Sequence, residues 1–211
     1  MSESAAIKFG TDGWRAIIGD DFTYENLRRV ADATGRVFAQ DNPGGTILVG
    51  HDTRFQAESF ARAAAEVLAT HGLTVRVTDR YIPTPGLCWA VAQDPAASGG
   101  VVLTASHNPA SYLGFKIRMA DGGASPVEFT DRVEAVLLEE APTARGDYEV
   151  VDMVGPYLEG LRAFVDADEI AKTSLRVAVD PLYGAGQSYL AETLRHFGME
   201  VTEIHDQRNP G

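Results

Sequence analysis

Apolar residues near the start of the chain recur at helical spacing. Leu27, Val30, Ala31, Thr34, Val37 and Phe38 share one face and Thr23 can cap its start, so the pattern predicts a helix over 23–40. Asn42, Pro43, Gly44 and Gly45 break it. The run Thr46, Ile47, Leu48, Val49, Gly50 then reads as a strand, ending in the polar group His51, Asp52, Thr53, Arg54. A second apolar stripe, Phe60, Ala63, Ala64, Val67 and Leu68, predicts a helix over 56–71, with Gly72 placed for a left-handed cap and a strand over 73–78 after it. Pro83 and Pro85 mark a turn before a short helix over 86–93. A buried strand over 99–105, a strand over 113–119 and a helix over 127–140 follow.

Beyond the turn-rich segment 141–147 the pattern repeats. A helical stretch over 154–170 leads to a strand over 175–180, a helix over 188–197 closed by Gly198, and a strand over 199–204. The skeleton of the earlier unit recurs: a strand ending in aspartate (Asp52 or Asp180), a helix, a glycine (Gly72 or Gly198) and another strand. Strands alternating with helices predict an α/β fold, a mixed and mostly parallel sheet with helices on both faces, followed by the start of a second domain of similar fold. The expected division is a first domain over 1–141, a linker over 142–152 and the incomplete beginning of a second domain over 153–211. A lone β-α-β unit cannot cover both faces of its sheet. That unit and the closing turn Arg208, Asn209, Pro210, Gly211 give the expectation that the chain is part of a longer protein.

Composition narrows the function. The 211 residues are 45% hydrophobic and carry a formal net charge of −12, which argues against nucleic-acid backbone binding but leaves an anionic small molecule open. Cys88 is the single cysteine, excludes an internal disulfide, and reads as a small core residue. The start lacks a basic segment followed by an apolar one, and no run of about 18 apolar residues occurs. A cytoplasmic location and no membrane partner are the expectations.

The densest chemistry is Thr104, Ala105, Ser106, His107, Asn108, Pro109. A buried strand delivers Ser106 to a loop at its carboxyl end, where ligands bind open α/β sheets. From the residues alone Ser106 either caps a turn or faces a ligand. A serine-hydrolase reading fails, because no G-x-S-x-G elbow surrounds it. Tyr183, Gly184, Ala185, Gly186 suggest a dinucleotide-binding turn, but glycine would be needed where Tyr189 stands.

This serine loop resembles the phosphoserine loop of the α-D-phosphohexomutases, phosphoglucomutase/phosphomannomutase branch. Phe9, Gly10, Thr11, Asp12, Gly13, Trp14, Arg15 are similar to that family's opening motif. Gly50, His51, Asp52, Thr53, Arg54 are similar to its G-x-D-x-R turn. Gly114, Phe115, Lys116, followed by Gly122 and Gly123, are similar to the segment after the serine. Leu113 departs from the asparagine that many members carry there.

The resemblance implies a mutase that moves phosphate between the 1- and 6-hydroxyls of a hexose through phosphoserine at Ser106 and a hexose bisphosphate, glucose phosphate being favoured by Thr104 and Trp14. Arg15 would meet phosphate, with Gly10, Thr11, Asn108 and Lys116 as further substrate or phosphate contacts. Lys116 is a candidate general acid/base, and His107 is either the other candidate or an orienting residue. Asp52 and Arg54 would brace the serine loop. The implied cofactors are Mg²⁺, with Ser106 as one ligand, and glucose 1,6-bisphosphate as activator. The family's D-G-D-x-D-R metal loop does not occur in these residues, so the expected partners include the remaining domains of the same polypeptide, and this chain by itself is expected to be inactive. The alternative is a non-catalytic binding or interaction domain that retains the serine loop.

Overall fold

The structure, a computed structural model, describes residues 7–209. A six-stranded sheet is built from β1 (Trp14–Ile17), β2 (Thr46–His51), β3 (Thr74–Thr78), β4 (Ala97–Leu103), β5 (Tyr112–Met119) and β6 (Glu149–Val151). Its spatial order is β1-β5-β4-β2-β3-β6; β5 runs antiparallel to β1 and β4, and the other neighbours are parallel. The α/β class with a mostly parallel sheet is therefore as the hydrophobic pattern predicts.

Alternation along the strands divides the core in two. Ile47, Val49, Val101, Leu103, Leu113, Phe115 and Ile117 face α1 (Tyr24–Asp41), α2 (Ala57–Ala69) and α4 (Val127–Ala135). Leu48 and Val102 face α3 (Thr84–Gln93) and α5 (Val154–Phe164), meeting Leu87, Val91, Val154 and Leu158. All six apolar-face residues predicted for α1 are buried, and Thr23 Oγ1 accepts from the Asn26 amide at 3.2 Å as the expected cap. Gly72 and Gly198, at φ +74° and +84°, are the left-handed residues expected after their helices.

Other boundaries differ for identifiable reasons. β1 and β6 are too short to show a period; each exists through pairing with a distant strand, Trp14 with Phe115 and Val151 with Thr78. β6 lies within the stretch read as linker. The helix expected to reach 140 ends at Ala135, and the Leu138 carbonyl beyond it accepts from Arg29 Nε at 2.6 Å. α3 begins earlier than expected because Pro85 fits the first turn, where no amide is needed. The expected helix over 154–170 splits into α5 and α6 (Ala167–Ala171), since Asp166 caps a new start by accepting from the Glu169 amide.

β7 (Arg176–Val179), α7 (Tyr189–His196) and β8 (Glu200–Glu203) form the second, parallel β-α-β unit. It meets the first through Tyr189, which packs in the α3/α5 core and donates from its hydroxyl to the Tyr81 carbonyl at 2.5 Å. Thr53 Oγ1 donates to the Tyr183 carbonyl at 2.9 Å. The turn expected at 208–211 runs beyond the described residues. Among those described, no helix is long and apolar enough to cross a membrane.

Candidate active site

β4 ends at Leu103, and the chain leaves the sheet through Thr104 and Ala105 into an exposed loop. Ser106 sits at its tip with φ +57°, a backbone region that costs a residue with a side chain roughly 1–2 kcal/mol. The surroundings hold it there. Its amide donates to Thr104 Oγ1 at 3.0 Å. Arg54 Nη2 donates to the carbonyls of Ser106 (2.8 Å) and Asn108 (2.7 Å), and Nη1 to those of Pro109 (2.8 Å) and Tyr112 (3.0 Å). A planar guanidinium with its donors in a fixed fork suits four converging carbonyls in a way a lysine cannot.

Asp52 in turn orients Arg54. Its Oδ1 accepts from the Arg54 amide at 2.9 Å and its Oδ2 lies 3.2 Å from Arg54 Nε. Burial pushes the Asp52 carboxyl above the usual carboxylate range, against the opposing hydrogen bonds from Thr104 and the Arg54 amide. Asp52, Arg54 and Thr104 thus form one brace under the serine. The loop-bracing expected of Asp52 and Arg54 has this geometry; Thr104, named in the serine motif and as a branch marker but given no bracing role, belongs to the same brace.

The hydroxyl of Ser106 points to chemistry of its own. Ser106 Oγ lies 3.4 Å from His107 Nδ1, and both residues are exposed. Ser106, Asn108, Asp52 and Arg54 line an open cleft of about 540 Å³, which the segment 182–186 of the second unit also lines. That segment, the glycine-containing turn of the rejected dinucleotide reading, thus shares the cleft with the serine.

The cations expected near the serine form a second layer. Arg15 Nη1 donates to Asn108 Oδ1 at 3.2 Å, so Arg15 reaches the serine loop through Asn108. Lys116 is buried on β5 and donates to Asp12 Oδ2; no contact joins it to Ser106 in this structure. Arg118, two residues along the same strand face, donates from Nη2 to Asp12 Oδ1 at 3.0 Å. Burial favours a protonated Asp12, but the hydrogen bond from Lys116 and the charges of Arg118 and Lys116 win, and the carboxyl sits below its ordinary value. Gly10 donates its amide to the Gly13 carbonyl at 2.9 Å, so that amide closes the turn, while Thr11 is exposed at its tip. Asp12 and Arg118 were assigned no role from sequence. The available signal for Arg118 was its i+2 spacing from Lys116.

A divalent cation fits these residues poorly on their own. Mg²⁺ takes about six hard oxygens; Ser106 supplies one. The carboxylates nearby are committed, Asp52 to Arg54 and Asp12 to Lys116 and Arg118. Among the described residues no group of three His, Cys, Asp or Glu side chains is arranged to hold a metal.

The geometry agrees with comparison to known proteins. Residues 6–144 match the family model for phosphoglucomutase/phosphomannomutase, alpha/beta/alpha domain I, and residues 155–211 that for domain II. A phosphoglucomutase/phosphomannomutase of Thermococcus kodakarensis is 32% identical over 93% of this chain and 44% of its own length. A phosphoglucosamine mutase of Corynebacterium efficiens is 33% identical over 95% of this chain and 46% of its own. The crystal structure of a protein described as a phosphomannomutase from Thermus thermophilus superposes with a TM-score of 0.91 at 41% identity, covering 98% of this chain and 47% of that one. The chain spans about half the length of these relatives. With both domain models matched in order and the serine loop built as described, the chain belongs to the α-D-phosphohexomutase family and corresponds to its N-terminal portion.

Proposed function

We propose that Ser106 is the phosphoryl carrier of a hexose-phosphate mutase. The observation that carries this is the left-handed Ser106, held by its backbone to Thr104 and Arg54 at the edge of an open cleft, with its hydroxyl 3.4 Å from His107 Nδ1. In the reaction, phospho-Ser106 passes its phosphoryl group to one sugar hydroxyl, releasing the serine oxygen and forming a hexose bisphosphate. After the sugar turns over, Ser106 Oγ attacks the other phosphate and takes it back, leaving the isomeric monophosphate. Phosphoryl transfer is dominated by positioning and charge stabilisation. The site contributes both, the Arg54 brace for the first and Arg15 with its neighbours for the second.

Mg²⁺ would add charge neutralisation when bound, and the residues described here do not by themselves make its site. Glucose 1,6-bisphosphate belongs to the proposal as the compound that charges Ser106. The favoured substrate is glucose phosphate, resting on Thr104 and Trp14. Similarity alone does not separate it from glucosamine phosphate, since relatives named for each sugar match to a similar degree. The test is a coupled assay on the complete gene product with glucose 1-phosphate, Mg²⁺ and a trace of glucose 1,6-bisphosphate, repeated with mannose and glucosamine phosphates. Turnover with glucose phosphate that disappears in Ser106→Ala is the expected result; turnover that survives this substitution sinks the proposal.

A further inference from the structure

The turn 10–13 lies flat on β5. A side chain at Gly13 would place its Cβ 2.5 Å from the Phe115 carbonyl oxygen and 3.0 Å from Lys116 Cα, and Gly13 has φ +97°, so glycine is required twice over. This close approach delivers Asp12 to the polar face of β5. There each carboxylate oxygen takes its own cation, Oδ2 from Lys116 and Oδ1 from Arg118. Arg15 Nη2 lies 3.7 Å from Oδ2, and the same guanidinium holds Asn108 of the serine loop.

The burial is uneven. The side chains of Lys116 and Arg118 are 5% and 7% exposed, whereas Asp12 is 34% exposed. Taking an ammonium and a guanidinium out of water is expensive unless each is paired. Arg118 Nε is buried without a hydrogen-bond partner, so its compensation comes through the Nη2 bond to Asp12. The nearest titratable group on α3, Cys88, offers no counter-charge, because burial pushes its thiol up.

We infer that Asp12 is a positioning residue that fixes the Lys116 ammonium, using Arg118 as the anchor for its second oxygen and Arg15 as the link to the serine loop. The inference rests on the mutase reading for what Lys116 then does. The positioning itself is a property of this chain. Three cations around one carboxylate also leave local positive charge in a protein of net charge −12, joined to the serine loop through the Arg15–Asn108 hydrogen bond.

Two readouts test it. Lys8, Lys116 and Lys172 are the lysines of the chain, and Lys8 and Lys172 are 79% and 67% exposed, so they serve as internal references. Acetylation of the 211-residue chain by an activated acetyl ester, followed by peptide mass spectrometry, should find Lys116 protected. Asp12→Asn should raise its labelling relative to the references by on the order of tenfold, and Asp12→Glu should restore part of the protection. Should Asp12→Asn fail to give the wild-type circular dichroism spectrum, Arg118→Met, which frees one carboxylate oxygen, is read in its place. In the complete gene product, Asp12→Asn should lower kcat with the KM for sugar phosphate largely kept. Unchanged Lys116 protection in a folded variant overturns the inference. So does unchanged kcat in Asp12→Asn beside an active wild type, whereas an inactive wild type counts against the mutase reading and leaves the labelling result to decide the positioning.

Discussion

Arg54 holds Ser106 by the backbone rather than by its hydroxyl: Nη2 meets the Ser106 carbonyl at 2.8 Å while the serine stands at φ +57°. The carbonyls of Asn108 and Pro109 in the same loop, and of Tyr112 at the start of β5, share that guanidinium. Arg54→Lys keeps the charge but loses the fork. Misplacing a reacting group by an ångström can cost on the order of 10²-fold, and a fall in kcat of that size in the complete gene product is the expected result. Thermal denaturation should show a loss of about 2 kcal/mol, the worth of one hydrogen bond to a charged group. Wild-type kcat in Arg54→Lys would mean that the brace is not needed.

Strain at Ser106 separates folding from chemistry. Glycine enters the left-handed region freely and alanine does not. Ser106→Gly should therefore be more stable than Ser106→Ala, by about 1 kcal/mol in denaturant titration. Both should lack phosphoryl transfer. Equal stability would show that the serine carries no conformational cost there.

Gly13→Ala should be among the most damaging changes in the first domain. Its Cβ would meet the Phe115 carbonyl at 2.5 Å in a conformation that alanine rarely adopts. A loss of about 2 kcal/mol or more is expected from melting curves, with the Asp12 carboxylate displaced and Lys116 more open to acetylation. A stable Gly13→Ala chain with Lys116 still protected would contradict the close packing of the turn on β5.

His51 predicts a pH dependence. Burial lowers its pKa from the ordinary 6.5, so the fold prefers it neutral, with Nδ1 2.9 Å from the Asp52 carbonyl and Nε2 buried without a partner. Between the folded and unfolded pKa values the unfolded chain binds more protons, so stability rises with pH. The contribution is complete above the unfolded value and is lost as pH falls through the window below it. Melting temperatures should drop more steeply between about pH 7.5 and 5.5 for the wild type than for His51→Gln, by a margin that differential scanning fluorimetry resolves. Identical slopes would remove His51 from the account.

Much of this site is legible in one sequence because its parts are local. The serine loop, the Asp52/Arg54 turn and Lys116 each sit in a short segment that resembles a family motif, and it is that resemblance, not the residue types alone, that implies their roles. The predicted helix faces of α1 and α2 also follow from local spacing, and their named residues are buried. What the sequence hides is pairing across distance. Asp12 meets Lys116 and Arg118 across separations of 104 and 106 residues, and no periodicity announces such a contact. β1 and β6 are hidden for the same reason, being defined by distant partners. The start of α6 is more readable, since Asp166 stands two residues before two more acids, but the apolar spacing around it obscures the break.

The most direct test of the central claim is the mass of Ser106. The complete gene product would be incubated with glucose 1,6-bisphosphate and Mg²⁺, digested, and mapped by tandem mass spectrometry beside Ser106→Ala. The account predicts one phosphoryl group on the peptide carrying Ser106, lost on adding glucose 6-phosphate and absent from the variant. Mutase turnover with no phosphate on Ser106 at any stage, or phosphate carried by another residue that survives Ser106→Ala, would contradict it.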